Sequence, residues 1–316
     1  MNVEVIVPAS VANLGPGFDC LGMAVDAFKL RLHCRFDAGA GVRIAVGGPA
    51  GGGIPETPAD NLIVRAMEAA FSAAGVRPEG YELAIDNGIP LGGGLGSSAA
   101  AVIGGLLAAR AWLAGQGRSL PDDRLLALAA GIEGHADNAA AAFYGGVTLA
   151  VQGAGGAVLA HRLSLVEYPA VVLAVPVHRQ STRQARSVLP ATVPHGDAAF
   201  NVARSALMVA ALTGGRYDLL AEAMADRLHE PYRQRLYPWL TALREAAVAA
   251  GAYGACLSGA GPAAAALAPP EQVSAVASAM HASLAEAGVE AAVYRAAVSA
   301  GAVVQVTPAN AAAPFA

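Results

Sequence analysis

Pro90-Leu-Gly-Gly-Gly-Leu-Gly-Ser-Ser-Ala-Ala-Ala101 is the stretch on which the fold turns. It lies between a run that reads as a strand, Tyr81 to Asp86, and an Ala/Leu/Ile run that reads as a helix from Ser97 to about Leu113. Glycine has no Cβ, so the backbone here can turn sharply and bring its N–H groups close to a ligand. Ser97 or Ser98 then opens a helix whose first N–H groups lack internal partners and whose dipole end is positive. A junction of this kind holds an anion, most often a phosphate. A flexible linker would not run straight into such a helix. The loop has no Gly-Lys-Ser/Thr ending, so it is not the lysine-bearing P-loop, and a phosphate here needs the helix end and a metal to neutralise it. Gly94-Leu-Gly96-Ser-Ser-Ala99 meets a loose dinucleotide-binding pattern, but the acidic residues downstream, Asp122 and Asp123, read as a helix start instead of a strand end.

At 316 residues, 55% hydrophobic and 14% charged, the chain can bury one large or two medium cores. A net charge of -4 offers no basic field for nucleic acid. Cys20, Cys34 and Cys256 are far apart and form no C-x-x-C pair, which argues against a disulfide framework or a zinc site and fits a reducing cytoplasm. Met1 to Val7 has no basic leader and reads as a strand. Asn87–Ala109 and Ala246–Pro270 are free of charge and long enough to suggest membrane spans, yet Pro and repeated Gly interrupt both and alanine supplies much of their apolarity. They read as parts of a soluble protein, with no membrane partner.

Further strand-like runs are Val3–Val7, Leu30–Phe36, Val42–Val46, Val147–Val151, Val171–Val175, Gly254–Ser258, Ala263–Leu267, Glu290–Arg295 and Ala302–Val306. Helical patterns fall near Leu62–Ala74, Asp122–Gly131, Asp197–Leu212, Tyr217–Leu228, Trp239–Ala250 and Glu271–Ala287. Strands and helices mix without strict alternation, which predicts an α+β fold, not a doubly wound sheet. A boundary near Pro176–His178 divides the chain into residues 1–176 and 177–306, and residues 307–316 read as a frayed tail.

Several polar groups stand in small or apolar surroundings. Pro8 to Asp19 carries Ser10, Asn13 and Asp19, which either cap turns or bind a small polar substrate. Ile132-Glu-Gly-His-Ala-Asp-Asn138 places Glu133, His135, Asp137 and Asn138 beside an alanine run, where buried polar groups must be paired or contact a ligand or metal. Carboxylate, serine hydroxyl and phosphate oxygens together suit magnesium. Ser181-Thr-Arg-Gln-Ala-Arg186 and Glu230-Pro-Tyr-Arg233 offer guanidinium forks that can grip a carboxylate. Ser258-Gly-Ala-Gly-Pro262 is a second glycine cluster, a hairpin turn or a second wall around the same anion.

These pieces, in this order, resemble the GHMP kinases, the small-molecule kinases named for galactokinase, homoserine kinase, mevalonate kinase and phosphomevalonate kinase. Pro90 to Ala100 matches the P-x-x-x-G-L-G-S-S-A-A loop, and Ser258 to Pro262 matches the S-G-x-G-P motif. The homoserine-phosphorylating branch is the most similar. Its features here are Ala9 to Asp19, Pro58-Ala-Asp-Asn61, His135-x-Asp-Asn138, Thr182-Arg-Gln-Ala-Arg186 with Leu189-Pro190, and Glu230-Pro-Tyr-Arg233.

The resemblance implies an N-terminal domain like the second domain of ribosomal protein S5, a ferredoxin-like C-terminal domain, and use of ATP and Mg²⁺ to phosphorylate L-homoserine. It places Pro90, Leu91, Gly92, Gly93, Gly94, Leu95, Gly96, Ser97 and Ser98 around the ATP phosphates, Asn61 at the adenine, and Ser98 with Glu133 on Mg²⁺. Asn13, Asp19, His135, Asp137, Arg186, Arg233 and Gly259 would line the acceptor pocket, the two arginines clamping its carboxylate. Asn138, Asp19 and Thr182 would serve the reacting hydroxyl. An aspartate stands at the Asn138 position in mevalonate-type relatives, and an amide cannot replace it as a base. The resemblance also implies a cytoplasmic homodimer. The alternatives are another small-molecule kinase of the family, a non-catalytic ligand sensor on the same fold, and a nicotinamide-dependent oxidoreductase.

Overall fold

The N-terminal half is organised by two long antiparallel strands. A computed structural model describes residues 1–36 and 39–308. In chain order the elements are β1 (Asn2–Ala12), β2 (Leu21–Phe36), β3 (Gly41–Gly47), α1 (Leu62–Ala74), β4 (Gly80–Asn87), α2 (Ser97–Gly115), α3 (Asp122–Glu133), α4 (Asp137–Tyr144), β5 (Val147–Gln152) and β6 (Val158–Arg162). There follow β7 (Ala170–Pro176), α5 (Thr182–Ser187), α6 (His195–Gly214), α7 (Leu220–Ala223), α8 (Glu230–Arg233), α9 (Leu240–Ala249), β8 (Gly254–Leu257), β9 (Ala264–Ala268), α10 (Val273–Glu286), β10 (Ala291–Ala296) and β11 (Val303–Thr307).

The first sheet runs β11-β1-β2-β4-β3, with β5 and β6 continuing from the start of β2. β3 and β4 are parallel, joined by the α1 crossover, and the other pairings are antiparallel. Val3, Val5 and Val7 of β1 point into a core completed by α1, α2 and α4. α2 is long and apolar enough to cross a membrane, but it is the central core helix, with Val102, Ile103, Leu106 and Leu107 all buried. Gly105 is where it meets α1 most closely: a Cβ there would sit 2.4 Å from the Ile63 carbonyl oxygen. The second charge-free run, Ala246–Pro270, is the end of α9 followed by β8 and β9.

The second sheet has the order β10-β7-β9-β8, all antiparallel, which with α9 and α10 makes the ferredoxin-like β-α-β-β-α-β arrangement. Val172 and Ala174 of β7 pack against α9 and α10. Val171, Leu173 and Val175 point the other way, into the core shared with the first half. This sheet is therefore buried on both faces at its centre, which explains why β7 and β9 read as unbroken apolar runs. The sheets do not divide at residue 176: β7 already belongs to the second sheet, and β11 returns to the first. Of the predicted tail, Thr307 ends β11, and residues 309–316 lie outside the described residues.

The expected strands and helices are present with one correction. Tyr217–Leu228 is not one helix but a 3₁₀ turn at Tyr217–Leu219 and the short α7, followed by a turn. Asp226 causes the break. Its Oδ2 accepts the N–H groups of His229 (2.8 Å) and Glu230 (2.7 Å), and its Oδ1 accepts that of Leu228 (3.1 Å), so it starts α8. The Asn201 amide of α6 donates to the same Oδ1 at 2.7 Å. β6, α4, α5 and α8 were not anticipated; they are short, and the alanines of α4 carry no periodic signal.

Two outcomes follow from this packing. Gly105→Val should lower stability by roughly 3 kcal/mol, because the opposing atom is backbone and α1 has to move, and thermal or urea unfolding measures it. Burial alone would raise the Asp226 carboxyl, but hydrogen bonds from the Asn201 amide and from the N–H groups of Glu230 and His229 hold it below the usual range. A carboxyl depressed in the folded state stabilises above its unfolded value, about 3.9, and that contribution fades as pH falls through the folded value. Asp226→Asn should therefore cost roughly 2–3 kcal/mol at pH 7. The gap from the unmodified protein should narrow below about pH 4 in unfolding curves taken across pH.

Candidate active site

The glycine loop enters α2 with its carbonyls already occupied. The Gly92 oxygen accepts from the Gln180 N–H (3.0 Å), Gly93 from Ala263 (3.0 Å) and Leu95 from Ser10 (3.1 Å). The Gly94 oxygen accepts from the Ser258 hydroxyl (2.7 Å). With the carbonyls anchored in surrounding elements, the N–H groups of Gly94, Leu95, Gly96, Ser97, Ser98 and Ala99 find no acceptor among the described residues. Gly94 (φ 79°) and Gly96 (φ 71°) are left-handed, and a Cβ on Gly96 would lie 2.0 Å from the Ser10 hydroxyl, so glycine is required there. The outcome is a row of backbone donors at the positive end of a 19-residue helix.

The loop forms one wall of a cleft of about 110 Å³. Of the expected phosphate-loop residues, Pro90, Gly92, Gly94, Leu95, Gly96, Ser97 and Ser98 line it. Gly93 is buried behind it, and Leu91 faces the Gly53 turn. Asn13, Asp19, Glu133, His135, Asp137, Asn138, Thr182, Arg186, Arg233 and Gly259 also line the cleft, so residues distant in sequence converge there. Asn61 does not line it. Its Oδ1 caps α1 by accepting from Ile63 (3.0 Å) and Val64 (3.3 Å), and its Nδ2 donates to the Pro55 oxygen (2.6 Å). Its visible role is to hold the start of α1 and the Pro55 turn.

The turn after β1 bends through Asn13 (φ 71°), Leu14 (φ 48°) and Asp19 (φ 57°), a left-handed backbone that non-glycine residues rarely adopt. The Asn13 side chain holds it by donating to the Gly259 oxygen (2.9 Å) and accepting the Asp19 N–H (3.1 Å). Asp19 in turn receives both terminal nitrogens of Arg186, at 2.6 and 3.1 Å. The predicted carboxylate clamp is therefore divided: in the free protein the Arg186 fork already holds an acid, and that hydrogen bond raises its guanidinium further.

Arg233 is different. It is almost wholly buried, and no carboxylate among the described residues pairs with it. Its Nε donates to the Ala185 oxygen (3.3 Å), and Nη1 donates to the Gly259 oxygen (2.9 Å) and to His229 Nδ1 (3.0 Å). Since guanidinium only donates, His229 Nδ1 is the acceptor. Its Nε2 must then carry the proton it gives to the Gly15 oxygen at 2.8 Å. Burial, with Arg186 nearby, lowers the Arg233 guanidinium. The Phe18 ring lies between the two arginines, 5.5 Å from each, and stacks on His229.

Opposite these cations, His135 Nδ1 meets Asp137 Oδ1 at 2.6 Å, and the same oxygen accepts the Asn138 N–H at 2.7 Å. Burial opposes protonation of His135, but the hydrogen bond and charge of Asp137, with Asp19 nearby, outweigh it and raise the imidazole. Ligand atoms of Asp19, His135 and Asp137 lie within 4.8 Å of one another. Asn138 Oδ1 accepts the Ser10 hydroxyl at 2.8 Å, beneath Gly96. Glu133, at the end of α3, accepts the Ser98 hydroxyl at 2.6 Å; burial raises its carboxyl against that hydrogen bond.

Two participants were not foreseen from the sequence. His229 precedes Arg233 by one helical turn, a spacing that could have revealed it. Gln180 lies in the cleft two residues before Thr182, with no pattern to mark it.

Comparison with known proteins agrees with this geometry. Residues 61–146 match the model for the GHMP kinases N terminal domain, and residues 208–286 that for the GHMP kinases C terminal domain. A homoserine kinase of Microchaete diplosiphon is 42% identical over 279 residues, 88% of this chain and 89% of that protein. One from Desulfitobacterium hafniense is 40% identical over 294 residues, covering 92% and 96%. The crystal structure of homoserine kinase from Cytophaga hutchinsonii superimposes with a TM-score of 0.86 at 29% identity, covering 96% of this chain and 97% of that one. With both family domains present and such relatives along most of its length, the chain belongs to the GHMP kinase family, in its homoserine kinase branch.

Proposed function

We propose that the chain transfers the γ-phosphoryl group of ATP to the side-chain hydroxyl of L-homoserine, giving O-phospho-L-homoserine for threonine synthesis in the cytoplasm. One observation carries this reading above the other small-molecule kinases: a buried, unneutralised Arg233 shares the cleft with Asp19 and Asp137. A buried cation without a counter-ion is costly, and a ligand carboxylate relieves it. A zwitterion with a distal hydroxyl fits both poles, its carboxylate at Arg233 and its ammonium at the acids. Mevalonate-type alcohols bring no ammonium group to those acids.

Phosphoryl transfer asks mainly for positioning and charge stabilisation. The Gly94–Ala99 N–H row and the α2 dipole hold the phosphate oxygens, while Arg233 fixes the acceptor so that its hydroxyl approaches Asn138, Asp19 and Thr182. Asn138 cannot take a proton at neutral pH, and Asp19 is engaged by Arg186. These residues therefore orient the hydroxyl. Its oxygen bonds to the γ-phosphorus as the bond to ADP breaks, and its proton leaves late, to a transferring phosphoryl oxygen. Glu133 and Ser98, a half-buried carboxylate and a hydroxyl in contact at the helix start, are a hard oxygen pair suited to Mg²⁺. When bound, the ion supplies charge neutralisation for the phosphates.

A coupled ADP-release assay should show turnover with L-homoserine and none with mevalonate; turnover with mevalonate alone would exclude the proposed acceptor. Arg233→Leu should cut kcat/KM for homoserine by about 100- to 1000-fold while leaving the KM for ATP near its original value. Arg233→Lys should recover little, because an ammonium cannot meet His229, Gly259 and Ala185 together. Glu133→Gln should raise the Mg²⁺ concentration needed for half-maximal activity by about tenfold or more, read from a metal titration at saturating substrates.

A further inference from the structure

Gln180 sits between β7 and α5 and is only 8% exposed. Its backbone is fastened to the phosphate loop: the N–H donates to the Gly92 oxygen at 3.0 Å, and a Cβ on Gly92 would lie 3.3 Å from the Gln180 carbonyl. Gln180 lines the same cleft as the loop's free N–H groups. Its Nε2 is buried and has no acceptor among the described residues. Leaving a buried amide donor unpaired costs about 1–3 kcal/mol, and of the described side chains in this state Gln180 is the one whose residue lines the cleft, where a ligand can supply the partner. Arg233 already provides for the acceptor's carboxylate on the other wall, and the element that Gln180 touches is the loop that receives the nucleotide.

We propose that Gln180 binds the nucleotide, its side-chain amide donating to a phosphate oxygen and extending the row of backbone donors across the cleft. This rests on the kinase reading above. It adds to the phosphate site a neutral donor from the C-terminal half of the chain, so that both halves hold the nucleotide.

Gln180→Met keeps the length and approximate volume and removes the donor. The free protein should be as stable as the original or more so, since the unpaired group is gone. Affinity for ADP or for a non-hydrolysable ATP analogue, measured by calorimetry, should fall about tenfold, and the nucleotide-induced rise in Tm should shrink accordingly. Gln180→Glu, which keeps an acceptor and adds negative charge, should bind the same nucleotides more weakly still. The KM for homoserine should change little in Gln180→Met. Unchanged nucleotide affinity in Gln180→Met overturns the assignment, as does a variant in which only the homoserine KM rises. Either result would leave the kinase reading intact if the unmodified protein turns over homoserine. Absence of homoserine turnover in the unmodified protein is the separate failure of that reading.

Discussion

The site depends on where four carbonyl oxygens point. Those of Gly92, Gly93, Gly94 and Leu95 are drawn away from the cleft by Gln180, Ala263, Ser258 and Ser10. An amide cannot turn its oxygen one way without turning its hydrogen the other, so anchoring the carbonyls aims the N–H groups into the cleft. The donors that hold them come from β1, from the segment after β7 and from the turn between β8 and β9. Both halves of the chain must therefore be folded and docked before the loop takes its shape.

This arrangement explains how the protein manages anions with little positive charge. Lys29 is its only lysine, exposed on β2 and absent from the cleft. Backbone dipoles and arginines do the work instead, and the arginines are held in a planar, hydrogen-bonded geometry that a lysine could not adopt. The two at the acceptor pole are in different states: Arg186 is neutralised by Asp19, whereas Arg233 is surrounded by neutral acceptors. The His229 tautomer is fixed by its bonds to Arg233 and to the Gly15 oxygen, and with the Gly259 and Ala185 oxygens it holds Arg233, so the cation is oriented before any ligand enters.

Much of this was legible in the sequence because the glycine loop, the apolar strand runs and the long helical patterns each carry a local signal. Most of the loop residues, Asp19, Glu133, His135, Asp137, Asn138 and both arginines converge on one cleft. What was not legible is relational. Nothing local tells whether an arginine fork meets an internal acid, and Arg186 does. Asn61 sits in a helix-start motif, and its capping role competes with any ligand role for the same side chain. The Tyr217–Leu228 pattern has helical periodicity, but Asp226 starts a new turn within reach of Asn201, a partner on another helix. Gln180 is invisible for a similar reason, since an unpaired amide becomes apparent only when its surroundings are known.

The pairing of β11 with β1 carries a consequence for how the chain is made. In chain order β1 precedes every other strand described and β11 follows them all. Through most of synthesis β1 can pair with β2 along one side while its other edge lacks a mate, and an unpaired edge readily recruits strands from other molecules. Glu4, with Arg35 and Arg31 of β2 opposite Asn2 and Ile6, makes that waiting edge less adhesive. Closure of the first sheet thus waits until β11 has been made, and a truncation that removed β11 would leave the β1 edge bare.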